Sequence, residues 1–418
     1  MVQKRILLIS GNFYPELTGI GKYNGEMMEW LAGQGNTCTV ITTYPYYPDW
    51  NIKPPYSKKS YWFSKDFKET DAVPANPIKI YRCPHFIPAN PSGFTRILSD
   101  VSFCLSATIM VFLLLFKKKY DFVITVSPPF LTGLLAAVYK KTKGAKFFYH
   151  VQDLQIDAAA DLKMIKSRIL IKMLFRIERY IMKQADLLSS ISEGMIARIR
   201  EKSGKNEVSF FPNWVDTAVF YPLSEKHVLK EAFGFGAKDK IVLYSGAIGE
   251  KQGLEAILYT ADTLKNIPDL KFIICGSGPY KKKLEDLKSS LQIHSVFFLP
   301  LQPAEKLNRF LNMADVHLVI QKANASDLVM PSKLTTILAV GGLAVITAPP
   351  GSSLFQVVSK YKMGIIAEPE NQTALTEAIK SALDDVNGTI NNNARNYADQ
   401  FLSINEVLKK YAQEMAEA

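Results

Sequence analysis

The sequence predicts an α/β protein of two doubly wound domains, on three observations. Its 418 residues are too many for one core, and two domains of about 200 residues each are the expected division. Short β-rich runs alternate with helical patterns almost throughout, as in parallel sheets covered by helices on both faces. Glycine-bearing turns link strand to helix in both halves, at the sheet edge where such folds bind ligands.

The elements follow in order. Arg5–Ser10 is too short for a signal peptide and reads as the first strand. Further strands are expected at 37–43, 122–126, 146–151, 187–191 and 208–211, with helices such as 22–33 and 131–141 between them. The second half repeats the alternation, with strands at 240–245, 271–275, 296–299, 316–320, 344–347 and 364–367. Helices at 254–265, 280–289, 304–313, 333–340 and 373–383 separate these strands. Pro212 and Pro222 bracket the seam, which gives domains at 1–215 and 216–390 and a helical tail at 391–418. The aromatic, proline-rich stretch from Tyr44 to Asn76 reads as a long loop able to cover a ligand.

Hydrophobic residues make up 48% of the chain and charged residues 21%, which excludes extended disorder. A net charge of +11 calls for an anionic partner: nucleic acid, phospholipid headgroups or a phosphorylated ligand. No recognition motif or basic-aromatic platform supports nucleic acid. Cys38, Cys83, Cys104 and Cys275 are far apart, without metal or redox spacing, and suit a reducing cytosol.

Three places carry chemistry. Gly19 and Gly21 precede the first long helix, where backbone amides and the helix N-terminus favour an anion. His150 and Asp153 end the fourth strand and are expected to point into a crevice. In the second half, Ser245-Gly246-Ala247-Ile248-Gly249-Glu250-Lys251-Gln252-Gly253 and Gly276-Ser277-Gly278-Pro279 each turn from strand to helix. No P-loop occurs, and neither turn is a full dinucleotide fingerprint.

Two stretches face outward. Val101–Phe116 is strongly apolar and closed by Lys117-Lys118-Lys119, but its sixteen residues fall short of a bilayer span. A buried helix and a helix dipping into one leaflet both fit it. Arg168, Lys172, Arg176, Arg179 and Lys183 step along one helical face, opposite Leu170, Met173, Leu174, Ile177 and Ile181. Such a helix suits an anionic membrane surface, or a solvated face over an apolar core; the neighbouring apolar run closed by three lysines favours the membrane.

Phe211-Pro212-Asn213-Trp214-Val215-Asp216, the Ser-Gly-x-x-Gly-x-x-x-Gly turn and Ala314-Asp315 resemble family 4 glycosyltransferases of GT-B fold. Pro15–Tyr23, Gly249–Glu255 and Pro331–Thr335 are more similar still to the colanic-acid-type branch of fucosyl and acetamido-deoxysugar transferases. The resemblance covers essentially the whole chain. It implies a retaining, metal-independent transfer of a sugar from a GDP- or UDP-linked donor, held in a cleft between the domains. The acceptor would be polyprenyl-linked or an oligosaccharide, and the enzyme would sit at the cytoplasmic face of the plasma membrane. The last helix would cross back to the first domain.

Carried over residue by residue, Gly19, Gly21 and Gly246 would face the donor diphosphate and His150 the transferred sugar, with Lys333 adding positive charge at the phosphates. The family's glutamate pair is degenerate: the second position holds Thr336, and Asp327 is the carboxylate near the first. The usual Lys-Gly is Gln252-Gly253, so Lys251 is the candidate phosphate contact. A nucleotide-sugar 2-epimerase of the same fold, or a non-catalytic interaction protein, are the alternatives that these departures leave open.

Overall fold

The computed structural model describes residues 3–16, 19–70, 76–161, 167–323, 331–384 and 388–418. The chain divides into two compact units, Met1–Phe211 with Leu408–Ala418, and Pro212–Val407.

In the first unit the strands are β1 (Arg5–Ile9), β2 (Thr37–Thr43), β3 (Ser64–Lys68), β4 (Ile78–Cys83), β5 (Phe122–Ser127), β6 (Lys146–Val151), β7 (Leu187–Ser190) and β8 (Ser209–Phe210). They form one sheet in the order β3-β4-β2-β1-β5-β6-β7-β8. All pairs are parallel except the β3–β4 edge. The helices are α1 (Gly19–Gly33), α2 (Gly93–Leu115), α3 (Thr132–Lys143), α4 (Gln155–Asp161), α5 (Arg168–Gln184) and α6 (Glu193–Ser203). Ile6 to Ile9 are all buried, as expected of a central strand covered on both faces.

The β3–β4 pair corrects the sequence reading, which ran a loop from Tyr44 to Asn76 and placed no strand at Ile78–Cys83. Its anchor is Arg82, buried on β4. Arg82 donates from Nε to Asp66 Oδ2 (2.6 Å), from Nη1 to the Thr43 carbonyl (3.2 Å) and from Nη2 to the Tyr14 carbonyl (2.9 Å), and it lies over the Tyr56 ring. A buried arginine reads as a loop residue in a hydrophobicity pattern, although here it closes a strand.

α2 is 23 residues long and starts at a capping box between Ser92 and Thr95. The apolar run is therefore the C-terminal part of a longer helix. Thr95–Leu115 has mean hydropathy 2.1, long and apolar enough to cross a membrane, and 39% of its apolar window is buried. Phe103, Ala107, Val111 and Leu114 face the core, whereas Leu105, Ile109, Phe112, Leu113 and Phe116 are exposed.

The second unit contains β9 (Lys240–Ser245), β10 (Leu270–Cys275), β11 (Val296–Leu299), β12 (Val316–Val319), β13 (Ala344–Thr347) and β14 (Ile365–Ala367). These are parallel, in the order β11-β10-β9-β12-β13-β14. Its helices are α7 (Lys226–Ala232), α8 (Glu255–Thr263), α9 (Lys281–Ser290), α10 (Ala304–Asn312), α11 (Ser332–Ala339), α12 (Ser353–Tyr361), α13 (Gln372–Asp384) and α14 (Thr389–Tyr397); α15 (Ile404–Glu417) begins in it. Strand alternation feeds two cores. Val242 and Tyr244 pack with Leu258 and Ile379 on one face, and Ile241 and Leu243 pack with Phe310 and Leu311 on the other.

The unit boundaries differ from the expected 215/216 and 390/391. Val215 N donates to Leu402 O (2.8 Å) and Ile404 N to Val215 O (3.1 Å), tying 212–215 and the start of the tail into the second unit. From Leu408 the tail belongs to the first unit, where Tyr411 stacks on Phe211 at 3.8 Å between centroids.

Candidate functional site

At the C-terminal edge of the second unit's sheet the turns after β9 and β10 are zipped together by backbone. Gly246 N donates to Cys275 O and Ile248 N to Ser277 O, both at 2.9 Å. The approach is close enough to require glycine. A Cβ at Gly276 would lie 1.9 Å from Gly246 O, and one at Gly278 would lie 2.1 Å from Ile248 O. The φ values of 153° and 157° independently disfavour any side chain.

Lys333, in the first turn of α11, reaches back to this crevice. Its Nζ sits 3.6 Å from the centroid of the Tyr244 ring, and a Cβ at Gly246 would meet it at 2.9 Å. Although the residue as a whole is partly covered, its ammonium end is enclosed, and burial pulls its pKa down to about 7. Among the described residues Lys333 makes no salt bridge. A cation held over an aromatic face, without a carboxylate and beside glycine-opened backbone, is arranged to accept an anion. The sequence marks Lys333 and Gly246 as donor contacts and the Gly276-Ser277-Gly278-Pro279 turn as a place of chemistry, without assigning Gly276 and Gly278 a contact. Tyr244 has no such signal, because a buried strand tyrosine gives none.

Lys251 lies in the short 3-10 turn Glu250–Gln252, is exposed, and its carbonyl accepts from Lys322 N at 3.2 Å. Thr336 Oγ1 donates to Lys333 O at 2.9 Å, so its proton is committed within its own helix. Asp327 lies outside the described residues.

In the first unit Gly19 is exposed with φ 58°. Gly21, expected to face the donor, is instead buried against Glu16, whose Cβ would lie 2.7 Å from a Cβ placed there. Glu16 Oε1 accepts from Tyr46 N (3.0 Å) and Tyr47 N (2.9 Å), and Oε2 from Asn12 Nδ2 (2.9 Å). Burial raises its pKa against those hydrogen bonds. Gly21 thus makes room for the carboxylate that organises the aromatic loop.

The expected convergence of His150 and Asp153 is also corrected. His150 is 2% exposed, packs edge-on to Phe211 at 4.8 Å and pairs through Nδ1 with Ser189 Oγ at 3.1 Å. Asp153, past the strand end, is exposed. Strand geometry turns His150 into the core, while the loop carries Asp153 to the surface. Burial lowers the His150 pKa to about 3, so the ring is neutral at physiological pH. In the unfolded chain it takes a proton near pH 6.5. Its contribution is therefore lost as pH falls from 6.5 toward 3, amounting to about 2 kcal/mol between pH 6.5 and 5. Urea melts at the two pH values should show a smaller acid loss in His150→Leu than in the unsubstituted chain; equal losses would contradict the burial assignment.

On α5, Arg168, Lys172, Arg176, Arg179 and Lys183 are all exposed, as the spacing predicts. The opposite side is less covered than expected. Ile181 is buried, but Leu170 and Met173 are exposed, as are Ile169 and Tyr180. Glu178, the acidic residue of this stretch, is buried and paired with Lys202. The outer half of α5 therefore carries a basic strip beside an apolar one.

Two doubly wound sheets, parallel but for the β3–β4 edge, one ending in a glycine-lined crevice with an enclosed lysine, define a two-domain α/β protein. The chain belongs to the group 1 (family 4) glycosyltransferases of GT-B fold, and it is a glycosyltransferase. The profile "Glycosyl transferases group 1" matches residues 225–401, and "Glycosyl transferase 4-like domain" matches 18–214. It is 38% identical over 416 residues to WcaI of Escherichia coli (strain K12), a glycosyl transferase named for colanic acid biosynthesis, covering 97% of this chain and 98% of that one. Sucrose-phosphate synthase from Thermosynechococcus elongatus shares the fold with TM-score 0.72 at 17% identity, covering 99% of both chains. HepE from Anabaena, solved in complex with UDP and glucose, does so with TM-score 0.68 at 12% identity over 100% of each.

Proposed function

We propose that this glycosyltransferase moves a fucose-type or acetamido-deoxyhexose residue from a GDP- or UDP-linked donor, with retention, to a polyprenyl-linked or oligosaccharide acceptor during exopolysaccharide assembly. The observation that carries the donor side is Lys333, an enclosed ammonium without a carboxylate among the described residues, beside the zipped glycine turns. The leaving group is a nucleoside diphosphate whose charge grows as the glycosidic bond breaks, and a positioned cation stabilises that charge more than the ground state. The relative named for colanic acid biosynthesis, matched along nearly its full length, supports the exopolysaccharide setting. Incubating the chain with sugar nucleotides and a polyprenyl-diphosphate acceptor, then reading the anomeric coupling of the product by NMR, tests the reading. Release of free epimerised sugar without acceptor, or an inverted product, would replace it.

The proposed place of work is the inner face of the plasma membrane, reached through α5. Its five exposed basic residues lie beside exposed Ile169, Leu170 and Met173, and each cation near an anionic surface adds about 1 kcal/mol. Flotation with anionic liposomes at low salt should recover the protein with the vesicles. Reversing Lys172, Arg176 and Arg179 to glutamate should weaken that binding by more than 100-fold. Protein left behind by the vesicles at low salt sinks this part of the proposal.

A further inference from the structure

A cavity of about 570 Å³ opens at the N-terminal edge of the first unit's sheet, beneath β1, β5 and β6 and beside the end of α15. Its volume is that of a small-molecule site. Doubly wound sheets bind their ligands at the opposite edge, past the carboxyl ends of the strands, so the chemistry described above does not account for it.

The ionisable side chains in its wall are Lys4, Lys119, Lys146 and Asp121, three cations against one carboxylate. Lys146 Nζ donates to Ala418 O at 2.7 Å, and Asp121 Oδ2 accepts from Arg5 N at 2.8 Å. Lys4 and Lys119 are left over. Lys4 Nζ stands 5.8 Å from the centroid of the Phe122 ring, and Lys119 Nζ lies 3.7 Å from where a Cβ on Gly144 would be. Neither ammonium has a salt bridge or a hydrogen bond among the described residues. Positive charge extends along this edge. Burial lowers the Lys79 pKa, and like charge on Lys65, Arg5 and Lys117 lowers it further. The cavity wall is nevertheless mostly apolar, through Phe122, Ala412 and Ala416, backed by Leu31 and Met415. Free cations around an apolar hollow fit a ligand that is itself divided, anionic at one end and apolar along the rest.

We infer that this cavity binds a phosphate monoester carried on an apolar body, with the phosphate between the Lys4 and Lys119 ammoniums and the apolar body against Phe122, Ala412 and Ala416. The charges match. Three lysines less one aspartate leave the lining at +2, and a phosphate monoester carries about −1.5 to −2 at neutral pH. A carboxylate would neutralise one of the two free ammoniums and leave the other. Lysine meets phosphate as a point charge and needs no fixed fork geometry. A lipid headgroup in a bilayer and a soluble phosphate ester share this chemistry, and the experiment separates them.

The test is titration calorimetry on the full chain with hexyl phosphate, inorganic phosphate and hexanoate. Hexyl phosphate should bind at least about tenfold tighter than either, since each of the others lacks one half of the match. Replacing Lys4→Ser and Lys119→Ser together should weaken hexyl phosphate by about tenfold or more. Lys117→Ser with Lys118→Ser removes the same charge outside the cavity and should leave that affinity unchanged. Ala416→Glu, which brings a carboxylate to the apolar wall, should weaken binding without touching a lysine. All three variants should keep the melting temperature of the unsubstituted chain. Absence of hexyl phosphate binding, affinity no better than for inorganic phosphate, or equal losses in the two lysine pairs overturns the inference. Flotation with phosphatidylcholine vesicles containing phosphatidic acid then identifies the carrier. A loss confined to the Lys4 and Lys119 pair supports a phosphate in the bilayer. Equal flotation of both pairs, with the calorimetric difference intact, supports a soluble ester.

Discussion

Gly276→Ala should lower the melting temperature of the second unit by roughly 10 °C and abolish measurable nucleotide binding. The added methyl would lie 1.9 Å from Gly246 O, with Ile248 Cγ1 at 3.5 Å, so the β9 turn must move away from the β10 turn. Overpacking of this kind and a side chain at φ 153° cost about 1–3 kcal/mol each. Together these amount to roughly 3–5 kcal/mol, and a unit of this size loses about 2–4 °C per kcal/mol. Gly351→Ala is the control. Its φ of 84° also disfavours a side chain, but nothing lies within 4 Å, so its penalty is the conformational part alone, about 1–2 kcal/mol. Calorimetric melts of the two variants separate steric from conformational effects; similar shifts would mean that the contact between the turns is not what demands glycine at 276.

Lys333→Met should reduce kcat/KM by about 100- to 1000-fold, the range seen when one group that stabilises developing charge is removed. It should do so without destabilising the free protein, because an enclosed ammonium with no salt bridge among the described residues is replaced by an apolar chain of similar length. The pH dependence has a definite sign. The free enzyme's Lys333 titrates at about 7, and an unfolded lysine at about 10.4, so between these values the unfolded chain holds more protons and stability rises with pH. A bound diphosphate favours the ammonium and raises its pKa. Diphosphate affinity should therefore fall up to tenfold per unit as pH rises above 7, with proton uptake on binding near neutrality. Calorimetry in buffers of different ionisation enthalpy reads that uptake. A pH-independent affinity in the unsubstituted chain would place the diphosphate away from Lys333.

Much of the architecture is legible in the residues. The strands of the second half are continuous apolar runs bounded by turns, because a strand buried on both faces needs no alternation. The edge pair β3–β4 is not legible, since Ser64–Lys68 alternates polar and exposed and its partner strand hides Arg82 in the core. The crevice of the second unit, with its glycine turns and Lys333, is legible in glycine spacing and one lysine. Gly21 and His150 mislead for a shared reason: glycines and histidines near strand ends serve packing as readily as ligands, and only the Glu16 and Phe211 contacts tell which.

The central claim is that the second unit holds a nucleoside diphosphate between its glycine turns and Lys333. A thermal-shift panel of GDP, UDP, ADP, CMP and dTDP on the intact chain tests it most directly. At a hundred times its dissociation constant a ligand adds about 2.7 kcal/mol to stability. The account predicts a clear shift with GDP or UDP that Lys333→Met removes. No shift with any of the five, or a shift that survives the substitution, would contradict it.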